Sequence, residues 1–139
     1  MKSLVILDGD YLIFDATFGS RIVIIPAPPK ISGSGHATIG ERKMCIEGDE
    51  AKVQVAATYT TTTHTIPGSG IVSIKELKPG HLAQGCLSGE VLITKGQEPF
   101  TASFRPTILA MTPVGSPDVS LDSDGTGEFI SSQKGVYAG

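Results

Sequence analysis

Residues 52–77 read KVQVAATYTTTTHTIPGSGIVSIKEL, and this stretch decides the fold class. In its first half, apolar or aromatic side chains fall at every second position, namely Val53, Val55, Ala57 and Tyr59. A period of two is typical of a half-buried strand, and the threonines that follow are β-branched and favour extended backbone. We therefore predict a long strand over residues 52–65, a Pro-Gly reversal in IPGSG, and a second strand in IVSIKEL.

The same signals recur along the rest of the chain. Short apolar runs are separated by turn signals such as DGD at residues 8–10 and PAPPK at residues 26–30, and the chain carries 17 glycines and 9 prolines. Such a composition favours many turns and few long helices. With 139 residues, the chain has the length of one ordinary domain. We predict a single all-β domain over residues 1–139, built from small glycine-rich β-hairpins.

The C-terminal part of the chain has a different composition. From about residue 112 onward, proline, glycine, serine and aspartate dominate. This shift predicts an irregular loop over residues 112–127, a last short strand in EFI at 128–130, and a C-terminal tail.

Charge and hydropathy exclude several classes of protein. The net charge is −3 and no cluster of lysines and arginines is visible, which argues against nucleic-acid binding. The N-terminal run MKSLVILDGDYLIF is interrupted by Asp8 and Asp10 and lacks a small-residue cleavage site, so it does not resemble a signal peptide. No run approaches the roughly 18 apolar residues of a membrane helix. We expect synthesis in the cytoplasm without a signal peptide.

The histidines and cysteines are few and lie beside glycines or turns: His36, His64, His81, Cys45 and Cys86. Zinc takes four nitrogen or sulfur ligands in a tetrahedron, and these residues could supply them. The spacing excludes a zinc finger, because the sequence contains neither CxxC nor HxxxH. Surface histidines and buried cysteines are the alternative interpretation, and the cysteines could also form one disulfide or remain two free thiols.

An enzyme is not predicted. Neither cysteine has the local signature of a catalytic nucleophile, and no G-x-S-x-G elbow is present. The acidic pairs Asp8 with Asp10 and Asp49 with Glu50 lie in predicted turns, where aspartate is common for conformational reasons. A small metal- or cysteine-dependent hydrolase is kept as an alternative function.

A family resemblance covers residues 30–106. The segments KISGSGHATIGERKMCIEGDEAKV, the Tyr-Thr strand, IPGSGIVSIKEL and VLITKG with PFTASFRP together resemble the PAAR-like proteins. These are spike-tip proteins of type VI secretion and related contractile, phage-tail-like injection systems. The resemblance implies a conical β-prism whose blunt base caps a trimeric β-helical spike and sharpens it for membrane piercing. It also implies a non-catalytic role, assembly at the tip of the injection particle and delivery outside the cell.

The resemblance further implies partners and a cofactor. The spike would be the main partner, the target membrane would be contacted transiently, and effector cargo is possible; an effector-carrying adaptor is the alternative. In this family a structural zinc near the apex is held by three histidines and one cysteine, here His36, His64 and His81 with either Cys45 or Cys86. We expect the docking face to include the LVIL, YLIF and PFTASF segments at residues 4–7, 11–14 and 99–104.

Overall fold

A computed structural model describes residues 3–36, 38–84, 91–133, 135 and 137–138. Throughout these residues the protein is all-β, as the sequence predicts. Helical geometry is confined there to two short 3₁₀ segments, at Asp49–Lys52 and Pro79–His81. In the described part of the chain, no helix is long and apolar enough to cross a membrane.

The described strands follow one another along the whole chain. In order they are β1 (Ser3–Leu4), β2 (Tyr11–Phe14), β3 (Thr17–Phe18), β4 (Arg21–Ile24), β5 (Thr38–Ile39), β6 (Arg42–Lys43), β7 (Gln54–Thr60), β8 (Gly68–Glu76), β9 (Leu82–Gln84), β10 (Val91–Ile93), β11 (Phe100–Ile108), β12 (Ser123–Ile130) and β13 (Tyr137–Ala138).

Seven of these strands form one antiparallel sheet in the order β2-β12-β11-β8-β7-β4-β3. The sheet curls, so that the last strand in this order lies next to β12, where the ring of Phe18 packs against Gly125. The remaining strands form two-stranded sheets, β1 with β13, β5 with β6 and β9 with β10. The result is a curled half-barrel with smaller hairpins attached to it.

The concave face of the curled sheet carries the main core. Along β7 the predicted alternation is confirmed, because Ala57 and Tyr59 are buried while Ala56 and Thr58 are exposed. Aromatic rings from several strands fill the centre of this core: Phe18, Tyr59, Phe100, Phe104 and Phe129. A second, smaller cluster of Val5, Leu7, Met44 and Leu92 lies beneath the attached hairpins.

The chain reversal after β7 lies earlier than predicted. It occurs at residues 61–65, and the PGSG segment is not a turn, since Gly68 and Gly70 belong to β8. The Thr61 hydroxyl accepts the backbone N–H of His64 at 2.9 Å, and the Thr61 N–H donates to the His64 carbonyl at 3.1 Å. A threonine side chain thus supplies the turn that proline and glycine were expected to make.

Glycine is needed in β8 for close packing. A Cβ atom at Gly68 would lie 2.3 Å from the backbone oxygen of Ile108, and one at Gly70 would lie 2.3 Å from that of Arg105. Both distances are too short for any side chain. These glycines therefore bring β8 and β11 together and are not turn signals.

The C-terminal region is more ordered than the composition predicts. Strand β12 begins at Ser123, whereas we expected irregular chain as far as residue 127. Its glycines, Gly125 and Gly127, lie directly against the rings of Phe18 and Phe100, where a Cβ atom would clash. Strand β13 pairs with β1, so the described end of the chain is tied to its beginning.

Candidate functional site

Exposed apolar side chains gather at the end of the half-barrel where β7 ends and β8 begins. We call this surface the apolar end and define it by six residues: Ile66, Ile108, Met111, Val114, Val119 and Leu121. All six are exposed, from Met111 at 40% to Val114 at 90%. Together they expose on the order of several hundred Å² of surface, the size of the largest apolar patch on a typical monomer, and such a patch is often functional.

Backbone hydrogen bonds hold the apolar end together. Ile66 and Met111 exchange two backbone hydrogen bonds of 3.0 Å, which joins the β7–β8 connection to the segment after β11. The Thr112 N–H donates to the Ser116 carbonyl at 2.9 Å, and Asp118 donates its N–H to the Ala110 carbonyl at 2.8 Å. Residues 110–118 are therefore a small closed loop that presents Val114 at its tip.

Arg21 anchors the rest of this loop from inside the half-barrel. Only 2% of its surface is exposed, although it begins the otherwise apolar segment RIVII at residues 21–25. Its guanidinium donates to the carbonyls of Val119 and Leu121 and to the Ser123 hydroxyl. The same group pairs with Asp118, with a distance of 3.0 Å from Nε to Oδ2. One buried cation thus fixes the backbone that carries two residues of the apolar end.

Tyr59 and Asp118 complete the buried network. The Tyr59 hydroxyl donates to Asp118 Oδ2 at 3.0 Å and accepts the Ala110 N–H at 2.9 Å. Burial raises the pKa of Tyr59, so its hydroxyl stays protonated and can donate. Burial would raise the pKa of Asp118, but hydrogen bonds from the Val119 backbone, Arg21 and Tyr59 outweigh it, and the pKa of Asp118 is lowered. Each charged group in this network has an ion-pair or hydrogen-bond partner, so the network holds the loop of the apolar end in one conformation.

The guanidinium also lies over aromatic rings. Its central carbon is 5.1 Å from the centroid of Tyr59 and 5.8 Å from that of Phe104. These cation–π contacts link the loop anchor to the main core.

Most of the predicted docking segments are not on the surface. In LVIL, Val5, Ile6 and Leu7 are buried, and the aromatic and alanine side chains of PFTASF lie in the main core. Only the YLIF segment exposes large apolar side chains, those of Tyr11 and Ile13. The error has a simple cause: long apolar runs were assigned to an interface, but in a domain of this size they are needed for the core.

The three histidines predicted as metal ligands occupy separate environments. His64 lies in the turn after β7, where its Nδ1 is 2.9 Å from the Thr63 hydroxyl and 3.1 Å from that of Thr61. His36 is exposed on a bend before β5. His81 is buried at the other end of β8, whose nine residues extend over about 30 Å at roughly 3.3 Å per residue. His64 and His81 therefore do not meet at one point.

His81 behaves as a core residue. Its ring lies 6.0 Å from the centroids of both Phe100 and Phe129, and Nδ1 accepts the Lys78 N–H at 2.9 Å. Burial lowers its pKa, although the backbones of Glu98 and Lys78 act in the opposite direction. No hydrogen bond from Nε2 to another described residue is formed.

Of the two cysteines, the described residues include Cys45. Cys45 is fully buried in the main core, and burial, with nearby aspartates, raises the pKa of its thiol, which favours the neutral form. Cys86 lies outside the described residues. Within the described ranges, no three His, Cys, Asp or Glu side chains are grouped so that they could hold a metal ion. The zinc site stays a prediction.

Sequence reasoning missed the Arg21–Asp118 pair entirely. The available signal was the alternation of RIVII, which places Arg21 on the same side of β4 as the buried Val23. Nothing in the sequence identified Asp118 as its partner, because the two residues are 97 positions apart.

Comparison with known proteins gives one clear assignment. No curated protein matches the chain. One family model does match, over residues 1–139, and its description is contractile injection system spike tip protein. Because the match covers the whole sequence, the chain belongs to the family of contractile injection system spike tip proteins.

Proposed function

We propose that this protein caps the distal end of the spike of a contractile injection system and docks there through the apolar end. The apolar end carries the proposal, because six exposed apolar side chains gather there around a loop that is anchored from the core. Because the chain belongs to the spike-tip family, the partner proposed for this surface is the spike.

The physical requirements of a tip agree with this surface. A tip must stay attached during injection, and lasting interfaces have a buried apolar centre with a polar rim. Val114 and Leu121 would supply the centre, while the exposed hydroxyl groups of Thr62, Thr63 and Ser116 lie at the same end and could form the rim. Preordering of the loop by Arg21 reduces the entropy lost on docking.

The finer features of the proposal come from the resemblance to PAAR-like proteins. They are a trimeric β-helical spike, a single tip chain on its three-fold end, piercing of a target membrane, and assembly of the particle in the cytoplasm before delivery. A structural role, without catalysis, is the simplest function for a family of spike tips. Carrying an effector is compatible with that role.

The test is binding to the cognate spike protein. Val114→Asp and Leu121→Asp each place a charge at the proposed apolar centre, and we expect each to weaken co-elution with the spike on size-exclusion chromatography at least tenfold. Thr38→Asp adds the same charge at an exposed position in β5 and is the matched control. Circular dichroism should show an unchanged fold for all three variants. Normal spike binding by both apolar-end variants would refute the docking surface.

A further inference from the structure

Strand β7 has an open edge at the end of the half-barrel opposite the apolar end. On one side it pairs with β8 from Gln54 to Tyr59 without interruption. On its other side, the described pairing with β4 covers only residues 58–60. The first half of β7 therefore has no described strand beside it on that side.

The direction of the open backbone groups follows from the hydrogen bonds. Val23 donates its N–H to the Ala16 carbonyl, so its backbone groups face β3, and those of Ile24 face β7. Ile24 lies opposite Thr58, which must then point its own N–H and C=O towards β4. Because these directions alternate along an antiparallel strand, Gln54 and Ala56 also point theirs to that side. Two donors and two acceptors thus face the open edge.

A cleft lies beside these groups. It has a volume of about 400 Å³ and runs between residues 52–56 on one wall and the PAPPK segment on the other. Strand β4 ends at Ile24 because proline lacks the N–H needed to continue a ladder. The chain then crosses to β2, where the Leu12 N–H donates to the Pro29 carbonyl at 3.0 Å. The prolines therefore hold the cleft open.

The charged side chains that line the cleft are all basic. Lys30 and Lys52 both line it and are exposed, and its lining contains no aspartate or glutamate. The Lys30 ammonium lies 5.0 Å from the Tyr11 ring centroid, which restrains it at the mouth. The Lys52 side chain is 70% exposed, and its ammonium lies 3.9 Å from the buried carboxylate of Asp49. That carboxylate also accepts hydrogen bonds from Ser34 and Ile46, so much of the Lys52 charge remains available to a ligand.

We propose that this edge binds an extended, acidic segment of a partner polypeptide, which adds a strand to β7. In this mode of recognition, main-chain hydrogen bonds give affinity and side-chain contacts give selectivity. Alternate residues of the segment would face Val53 and Val55 on the inner side of the cleft. The intervening residues would face outward, where carboxylates meet the two lysines. The site is separate from the apolar end, so both could be occupied together.

The probe is a fluorescein-labelled peptide of alternating glutamate and valine, five residues long, with capped ends, measured by fluorescence anisotropy. We expect saturable binding that weakens as salt is raised, since two lysines contribute. Exchanging Lys30 and Lys52 for glutamate together should weaken binding at least tenfold. The control exchanges Lys43 and Lys95, two exposed lysines outside the cleft lining, for glutamate and should leave binding unchanged.

The backbone contribution is tested separately. Ala56→Pro removes an N–H that faces the cleft and no hydrogen bond to β8, so it should abolish binding while circular dichroism stays unchanged. If that variant does not fold, a peptide N-methylated at all five residues removes every backbone donor of the added strand and gives the same test on the native protein. Absence of binding at millimolar peptide, equal binding of the N-methylated peptide, or occupation of the cleft by a second copy of the chain would each overturn the proposal.

Discussion

The Arg21 anchor offers the sharpest test of how the apolar end is built. In Arg21→Met the side chain keeps much of its length and loses its charge, so Asp118 remains almost buried without its cation. The side-chain exposures are 3% for Arg21 and 11% for Asp118. Removing one partner of a buried ion pair costs about 3–5 kcal/mol. The hydrogen bonds to Val119, Leu121 and Ser123 are lost as well.

A thermal unfolding experiment measures this loss. For a domain of this size, 1 kcal/mol corresponds to roughly 4 °C, so we expect the melting temperature to fall by about 10–20 °C. The double variant Arg21→Met with Asp118→Asn should recover part of the loss, because it removes the unpaired carboxylate. Arg105→Met, at an exposed position of β11, is the control and should change little. If the melting temperature of Arg21→Met lies within about 3 °C of the wild type, the loss is below roughly 1 kcal/mol and the reasoning is refuted.

Three further predictions concern glycine packing, pH and metal. Gly68→Ala should lower the free energy of unfolding, measured by urea denaturation, by more than about 2 kcal/mol, because the new Cβ atom would clash with the backbone of β11. At Gly80 a Cβ atom would have no other atom within 4 Å, so Gly80→Ala should change the free energy of unfolding little. Burial lowers the pKa of His81 in the folded protein. The neutral ring therefore contributes its full stability above the unfolded pKa of about 6.5, and this stability should decrease as the pH falls below that value. His81→Phe should flatten the pH dependence of the melting temperature. If zinc is bound, mass spectrometry should find about one ion per chain and a chelator should lower the melting temperature. His64→Ala should reduce the zinc content more than Thr62→Ala. Metal-free protein with an unchanged melting temperature would refute the zinc prediction.

The strand content was accessible from the sequence because its cause is local. Side chains on β7 alternate strictly between core and solvent, and this pattern survives in a single sequence. The position of the chain reversal after β7 could not be predicted from the sequence alone. Two turn signals competed within residues 61–70, and the threonine hydroxyl prevailed because Gly68 and Gly70 were required in β8.

The functional surface depended on contacts that are distant in sequence. The apolar end joins the β7–β8 connection to the segment after β11, and its anchor lies in β4. Composition marked residues 112–127 as irregular chain, which is correct for the loop but gave no reason to expect an ordered docking surface there. The strand β12 was missed because its glycines signalled turns, whereas Gly125 and Gly127 make room for aromatic rings.

Hydrogen–deuterium exchange on the isolated protein and on its complex with the spike tests the docking surface most directly. The six residues of the apolar end lie in residues 61–67 and 108–122, and we predict that spike binding strongly slows the exchange of the amides in these two segments. The strands of the attached hairpins, β5 and β6, should exchange at the same rate in both states. Unchanged exchange at residues 108–122, with protection elsewhere in the chain, would contradict the docking surface proposed for this spike tip.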